Sequence, residues 1–118
     1  MSGSLATFIR SQVTSAKVVI FSKSYCPYCQ SAKSMFNQLQ QPFVAIELDQ
    51  VGMVSLLFSC FVENGSAIQS ELEKTTGQRT VPNIFINGKH VGGRDTLAAL
   101  MAKNELQPLL AKDGKEEL

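Results

Sequence analysis

The 118-residue sequence contains no tryptophan, one histidine and three cysteines, and its 11 Lys and Arg are almost balanced by 10 Asp and Glu, for a net charge of +1. Each scarcity removes a class of function. Without a basic surplus there is little to hold a phosphate backbone, so no nucleic-acid partner is expected and a neutral or small anionic one fits better. The cysteines form only one close pair, Cys26 and Cys29, and the remaining donors, Cys60 and His90, do not make a second. A four-ligand zinc site normally shows two tight pairs, so no metal is expected. Three thiols cannot all pair within one chain. The longest apolar stretch, "VGMVSLLFSCFV" (51–62), is far short of the ~20 residues that span a bilayer. The opening "MSGSLATFIRSQVTSA" carries charge only at Arg10 and has no unbroken apolar region, unlike a secretory signal or an Arg-rich transit peptide, so a cytoplasmic location is expected. In that reducing compartment thiols are reactive groups or core fillers more often than structural crosslinks. Repeats and low-complexity segments are absent.

An apolar content of 44% over this length is enough to build one core, and one domain is expected over residues 1–111, followed by a charged tail at 112–118. Leu5, Phe8, Ile9 and Val13 recur at helical spacing in "GSLATFIRSQVTSA". "KVVIFS" (17–22) is apolar without alternation, as a strand covered on both faces would be. "PYCQSAKSMFNQLQQ" begins with a proline where a helix can spare the N–H and is blocked by Pro42. Strand "FVAIEL" (43–48), helix "SAIQSELEKTTG" (66–77) closed by Gly77, strand "VPNIFI", turn "NGK" and strand "KHVGG" follow, and "DTLAALMAKNEL" is expected as one helix capped by Asp95. Strand, helix, strand implies a right-handed parallel crossover. The sum is an α/β chain with a mixed four-stranded sheet and helices on both faces.

"KSYCPYCQ" (23–30) then falls at a strand-to-helix turn. Cys26 meets unpaired helical N–H groups, the positive end of the helix dipole and the ammonium of Lys23, all of which favour its thiolate. Cys29 lies one turn deeper. This asymmetry makes Cys26 the attacking thiol and Cys29 the one that can resolve a mixed disulfide. A structural crosslink closing so short a loop would remove little chain entropy, leaving redox chemistry as the strongest reading of the pair.

With "VVIFSKSYCPYC", "SAIQ" and "TGQRTVPNIFINGKHVGG" followed by Asp95 in order, the chain resembles the glutaredoxin family, of the dithiol C-P-Y-C type, over nearly all but residues 51–64 and the tail. Thioredoxins share the spacing but typically carry Trp beside the pair. The resemblance implies a thioredoxin-like fold and a glutathione-dependent thiol-disulfide oxidoreductase that reduces glutathione-protein mixed disulfides and small disulfides through Cys26, with glutathione as reductant and co-substrate. It implies a cis proline in the Thr80-Val81-Pro82 turn, with the Val81 backbone pairing the cysteinyl part of glutathione. Lys23 and Gln69, with Arg79, would hold its glycyl carboxylate. Gly93, Arg94 and Asp95 would take its γ-glutamyl end, where Thr96 stands in place of the second acid that many relatives carry. Tyr28 would wall the groove.

The family also contains carriers that bridge two subunits through an iron-sulfur cluster held by the first thiol and glutathione, and that is the competing reading here. Pro27 argues against it, because its rigid ring in C-P-Y-C is associated with poor cluster assembly. A lone His90 on a hairpin strand receives no role. The ending "KEEL" is similar to ER-retention signals but reads as a solvated tail.

"VGMVSLLFSCFV" interrupts the family pattern where relatives have a short polar loop, of ordinary length ~4 to 6 residues. Its apolar character predicts a short helix beside the active-site edge with residual exposed apolar surface, and Cys60 as an apolar filler. A monomer is expected, with self-association through this insert as the exception. Deleting residues 51–62 is expected to preserve deglutathionylation and to improve solubility or reduce self-association, measured by turnover and sedimentation; loss of activity from a folded protein would place the insert in the site.

Overall fold

The computed structural model describes residues 2–49 and 65–111; the apolar insert and the charged tail lie outside them. The described elements are α1 (Ser2–Val13), β1 (Val18–Ser22), α2 (Pro27–Gln38), β2 (Val44–Glu47), α3 (Gly65–Thr76), β3 (Asn83–Ile86), β4 (Lys89–Gly92), α4 (Arg94–Ala102) and α5 (Leu106–Ala111). The sheet order is β2-β1-β3-β4. β1 pairs parallel with β2 and antiparallel with β3, and β3 runs antiparallel to β4. This is the mixed sheet expected of a thioredoxin-like fold.

β1 is fully buried along its length, and the period-two geometry of a strand divides its side chains between two cores. Val19 and Phe21 pack with Ile9 and Val13 of α1, Ile68 and Leu72 of α3, and Phe85. Val18 and Ile20 face the other way, onto Ala32 and Phe36 of α2, Leu97 of α4, and Leu106 and Leu110 of α5. Phe21 and Phe85 meet edge to face at 5.8 Å. Each such buried side chain contributes on the order of 1.5–3 kcal/mol, so β1 stabilises both cores at once. That double duty explains why "KVVIFS" shows no alternation.

Turn chemistry places the hairpin. Asn87 and Gly88 have φ of 55° and 79°, the paired positive values that a two-residue turn joining twisted strands requires and that Asn-Gly supplies cheaply. The Asn87 N–H also bonds the Lys17 carbonyl at 2.7 Å. Gly77, at φ 83°, closes α3 as expected, with its N–H on the Glu73 carbonyl.

The last helix departs from expectation in two respects. Its N-cap is Gly93, and Asp95 lies inside the first turn. The expected single helix also breaks at Asn104, whose φ is 59°. The N–H groups of Asn104 and Glu105 return to the carbonyls of Met101 and Leu100, a left-handed closure that asparagine tolerates. The break lets α5 turn back so that Leu106 and Leu110 are buried. Lys17 Nζ then donates to the Leu110 carbonyl at 2.6 Å, satisfying a helix C-terminus.

Registers bring four chain segments to one edge. Ser22 pairs with Glu47, Phe21 with Asn83, and Ile84 with Gly92. The ends of β1, β2 and β4 and the start of β3 therefore coincide. At the same edge the start of α3 seats directly on the end of β2: a Cβ on Gly65 would collide with the Leu48 carbonyl oxygen and lie 2.7 Å from Leu48 Cβ. Gly65→Ala must therefore displace backbone, and a loss of about 1–3 kcal/mol is expected. A lowered urea midpoint at unchanged slope would register it; an unchanged midpoint would show that α3 can shift freely.

Candidate active site

The turn from β1 to α2 presents the two thiols unequally. Cys26 is the N-cap of α2 in extended conformation, its N–H bonded to the Lys23 carbonyl and its own carbonyl accepting from Gln30 N–H at 3.0 Å. The residue is partly exposed, and nearby in the chain Tyr25 and Tyr28 are 70% and 57% exposed. Cys29, one turn on, is completely buried and receives the Lys23 N–H at 3.5 Å. Partial burial pushes the Cys26 thiol up, but the Cys29 N–H, the Cys29 thiol, the Tyr28 N–H and the Lys23 ammonium outweigh it and hold this thiol below its ordinary range. No short cap bond reaches the sulfur; the N–H groups act as aligned dipoles. Burial, reinforced by neighbouring Cys26, pushes the Cys29 thiol up against the opposing Lys23 N–H. The pair is thus split, with the thiolate favoured at Cys26 and the protonated thiol favoured at Cys29.

A second residue, not singled out from sequence, braces this turn. Asp49 accepts the Ser24 hydroxyl and, at 3.0 Å, the Ser24 N–H. Those two bonds, opposed by slight desolvation and aided by Lys23, hold its carboxyl below the usual carboxylate range. Gln30 Nε2 completes the brace on the Ser24 carbonyl at 2.7 Å.

The Thr80-Val81-Pro82 loop enters β3 at the same edge, and its Val81–Pro82 bond is cis. Gln78 organises it. Its amide Nε2 donates to the carbonyls of Thr80 and Pro82, both at 3.0 Å, while Oε1 faces His90 Nε2 at 3.2 Å. Two carbonyl acceptors fix the amide orientation, so His90 Nε2 must carry the proton. Burial lowers the pKa of His90, which favours this neutral form. His90, assigned nothing from sequence, therefore supports the loop through Gln78. Neither residue type signals such a brace; only the fold places β4 beside residue 78.

The remaining expected site residues fall into three groups. Gln69 and Arg79 are adjacent, Gln69 Nε2 donating to the Arg79 carbonyl at 3.0 Å. The Arg79 guanidinium is tethered by Ser70 Oγ at 2.7 Å and Ser66 Oγ at 3.2 Å, with Glu73 4.0 Å away. Gly93 and Arg94 open α4 against the loop: a Cβ on Gly93 would lie 3.6 Å from the Pro82 carbonyl. The Arg94 guanidinium stacks over Tyr28 at 5.0 Å from the ring centroid, with exposed Asp95 at 3.3 Å and a buried Nε without a protein partner. Thr96 turns toward β4, where its Oγ1 would lie 3.0 Å from a Cβ on Gly92, and it lines a shallow pocket with His90 and Leu100. Among the described residues no three metal-ligating side chains converge, and no helix is long and apolar enough to cross a membrane.

Comparison with known proteins gives the family and the fold. The glutaredoxin family model matches residues 18–91. Glutaredoxin-C6 of Oryza sativa subsp. japonica is 50% identical over 102 residues, spanning 86% of this chain and 81% of that protein. Glutaredoxin-C4 of Arabidopsis thaliana is 44% identical over 112 residues, spanning 95% and 75%. Among solved structures, a buckwheat glutaredoxin-glutathione complex superposes with a TM-score of 0.81 at 39% identity, covering 92% of this chain and 89% of its own.

Lys23 contributes to the low Cys26 pKa by favouring the anion, so Lys23→Gln is expected to move that pKa up toward the ordinary thiol value. At pH below the shifted midpoint, less thiolate is present and alkylation by iodoacetamide slows; at alkaline pH, where both proteins are thiolate, the rates converge. An unshifted rate-pH profile would remove Lys23 from the electrostatics of the site.

Proposed function

Because the chain belongs to the glutaredoxin family of thiol oxidoreductases, we propose that it reduces glutathione-protein mixed disulfides and small disulfides, with glutathione as reductant. The observation that carries this reading is the split between a stabilised, accessible Cys26 thiolate and a buried Cys29 thiol directly behind it. Only a thiolate is a competent nucleophile toward a disulfide. Cys26 attacks the glutathione sulfur of the mixed disulfide, a sulfur-sulfur bond forms between them, and the substrate thiolate leaves. A second glutathione thiolate attacks the new disulfide, releasing oxidised glutathione and restoring Cys26. Cys29 enters only in the dithiol route, where it attacks Cys26 to close an intramolecular disulfide.

The surrounding residues fit an extended anionic tripeptide. The complex solved for the buckwheat relative contains glutathione, and the elements that carry the groove here share its fold. In this reading Lys23, Gln69 and Arg79 receive the glycyl carboxylate, and the Val81 backbone, fixed between Thr80 and Pro82, aligns the cysteinyl unit. The N–H groups at Gly93 and Arg94 take the γ-glutamyl carboxylate at a helix start, with Asp95 toward its ammonium. Thr96 lies at the margin of this region. Tyr28, held by Arg94, forms the wall.

Cys26→Ser is expected to abolish turnover of a glutathione mixed disulfide in a coupled assay with glutathione and its reductase, whereas Cys29→Ser retains much of it. Equal loss in both variants would overturn the assignment of roles, and no turnover by folded, reduced wild-type protein would overturn the function.

A further inference from the structure

Behind Cys29 lies a polar chain that disulfide exchange at Cys26 does not require. Ser22, the last residue of β1 and fully buried, donates its hydroxyl to Glu47 Oε1 at 2.8 Å. The other oxygen of Glu47 holds Lys33 Nζ at 2.6 Å. Ser22 has the same parity as Val18 and Ile20, so its side chain faces α2. Cys29 and Lys33 are four residues apart on that helix and share one face. The Lys23 N–H, in the peptide bond that follows Ser22, reaches Cys29 Sγ. A row of Lys33, Glu47, Ser22 and Cys29 therefore crosses from β2 to the buried thiol.

We propose that Ser22 and Glu47 are the exit path for the Cys29 proton when that thiol closes on Cys26. This rests on the reading of Cys29 as the resolving thiol. In the resting pair, Cys29 shares its proton with the Cys26 thiolate, as the thiol bond that favours that anion requires. Once Cys26 carries a substrate sulfur it is no longer an anion, and the Cys29 S–H loses its charged acceptor. The Ser22 oxygen is free to accept because its own hydrogen is committed to Glu47. During closure the Cys29 sulfur bonds to the Cys26 sulfur, and the bond from Cys26 to the substrate sulfur breaks, taking its electron pair. The Cys29 proton passes to the Ser22 oxygen, and the former Ser22 hydroxyl hydrogen passes to Glu47. The expelled thiolate takes a proton from water, and Glu47, whose side chain is 21% exposed, returns its proton to solvent.

Lys33 balances Glu47, so the carboxylate sits near Cys29 without simply repelling its anion. The titratable group in direct contact with Cys29 is Cys26, beside the backbone N–H of Lys23, while Glu47 from β2 and Lys33 from α2 stand behind Ser22. Ser22 and Glu47 are positioning residues for the dithiol route.

The test uses an aromatic disulfide, dithiobis(nitrobenzoate), in a Cys60→Ser background, where Cys26 and Cys29 are the only thiols. Attack by Cys26 releases one coloured thiolate, and closure by Cys29 releases a second, so stopped-flow absorbance resolves both steps. Ser22→Ala and Glu47→Gln are each expected to lower the ratio of second to first rate about tenfold or more, within the range of a positioned proton acceptor, and Glu47→Asp to recover part of it. Simple electrostatics predicts the opposite sign for Glu47→Gln, since removing a negative charge makes Cys29 more acidic and closure faster. An equal or faster second release in that variant overturns the proposal. The same Cys60→Ser protein in heavy water needs no substitution in the path: the second release should slow more than the first, and equal isotope effects overturn the path. The probe contains no glutathione, so failure to turn over glutathionylated substrates beside intact closure would refute the proposed function alone.

Discussion

Covering β1 on both faces is the constraint from which the site follows. Five consecutive buried residues, Val18 to Ser22, leave no solvent-facing side on which the strand could slip, because a one-residue shift would exchange the two cores. Phe21 would then enter the layer shaped for Ile20 and Ala32. The same lock sets where the strand stops. Its carboxyl end delivers Lys23 to Cys26 to the start of α2, beside the entry to β3 and the exit of β4. A site assembled from four distant stretches of chain thus takes its geometry from packing that none of its residues provides.

On that frame, the chemistry depends on depth. Cys26 and Cys29 are separated by one helical turn, yet one sulfur faces aligned N–H dipoles and solvent while the other sits in the core between β1 and α2. Desolvation acts on both; only at Cys26 is it outweighed. The anion is therefore favoured in front and the proton-bearing thiol behind. A reversed order would bury the charge and expose the inert thiol.

Polar braces hold the loops that packing cannot reach. Asp49 grips Ser24 from the turn after β2, and Gln78 grips the carbonyls of Thr80 and Pro82 while His90 grips Gln78. Asp49 and Gln78 each commit both polar ends of the side chain, which fixes its orientation. Asn83 joins them, its Nδ2 on the Gln78 carbonyl. The loops facing the groove are thereby ordered by polar contacts that add to the packing of Val81 against the core.

Sequence by itself was enough for the elements and for the reactive pair, since these rest on local rules. Alternation and its absence distinguished covered strands, Asn87-Gly88 announced the hairpin, Pro27 opened α2, and Cys26 at a helix start announced a thiolate. The expected cap at Asp95 and the unbroken last helix were wrong, because a glycine with no cap signal can begin a helix once the loop before it is seated, and Asn104 breaks one where burial of Leu106 and Leu110 is gained. What only the tertiary structure decided are relations between distant residues. Gln78 with His90, Asp49 with Ser24, and Glu47 with both Ser22 and Lys33 are contacts across strands and layers. No periodicity encodes them, for a side chain's hydrogen-bond partner is set by strand order and register, which are settled by burial of the whole core and not by the residues that meet.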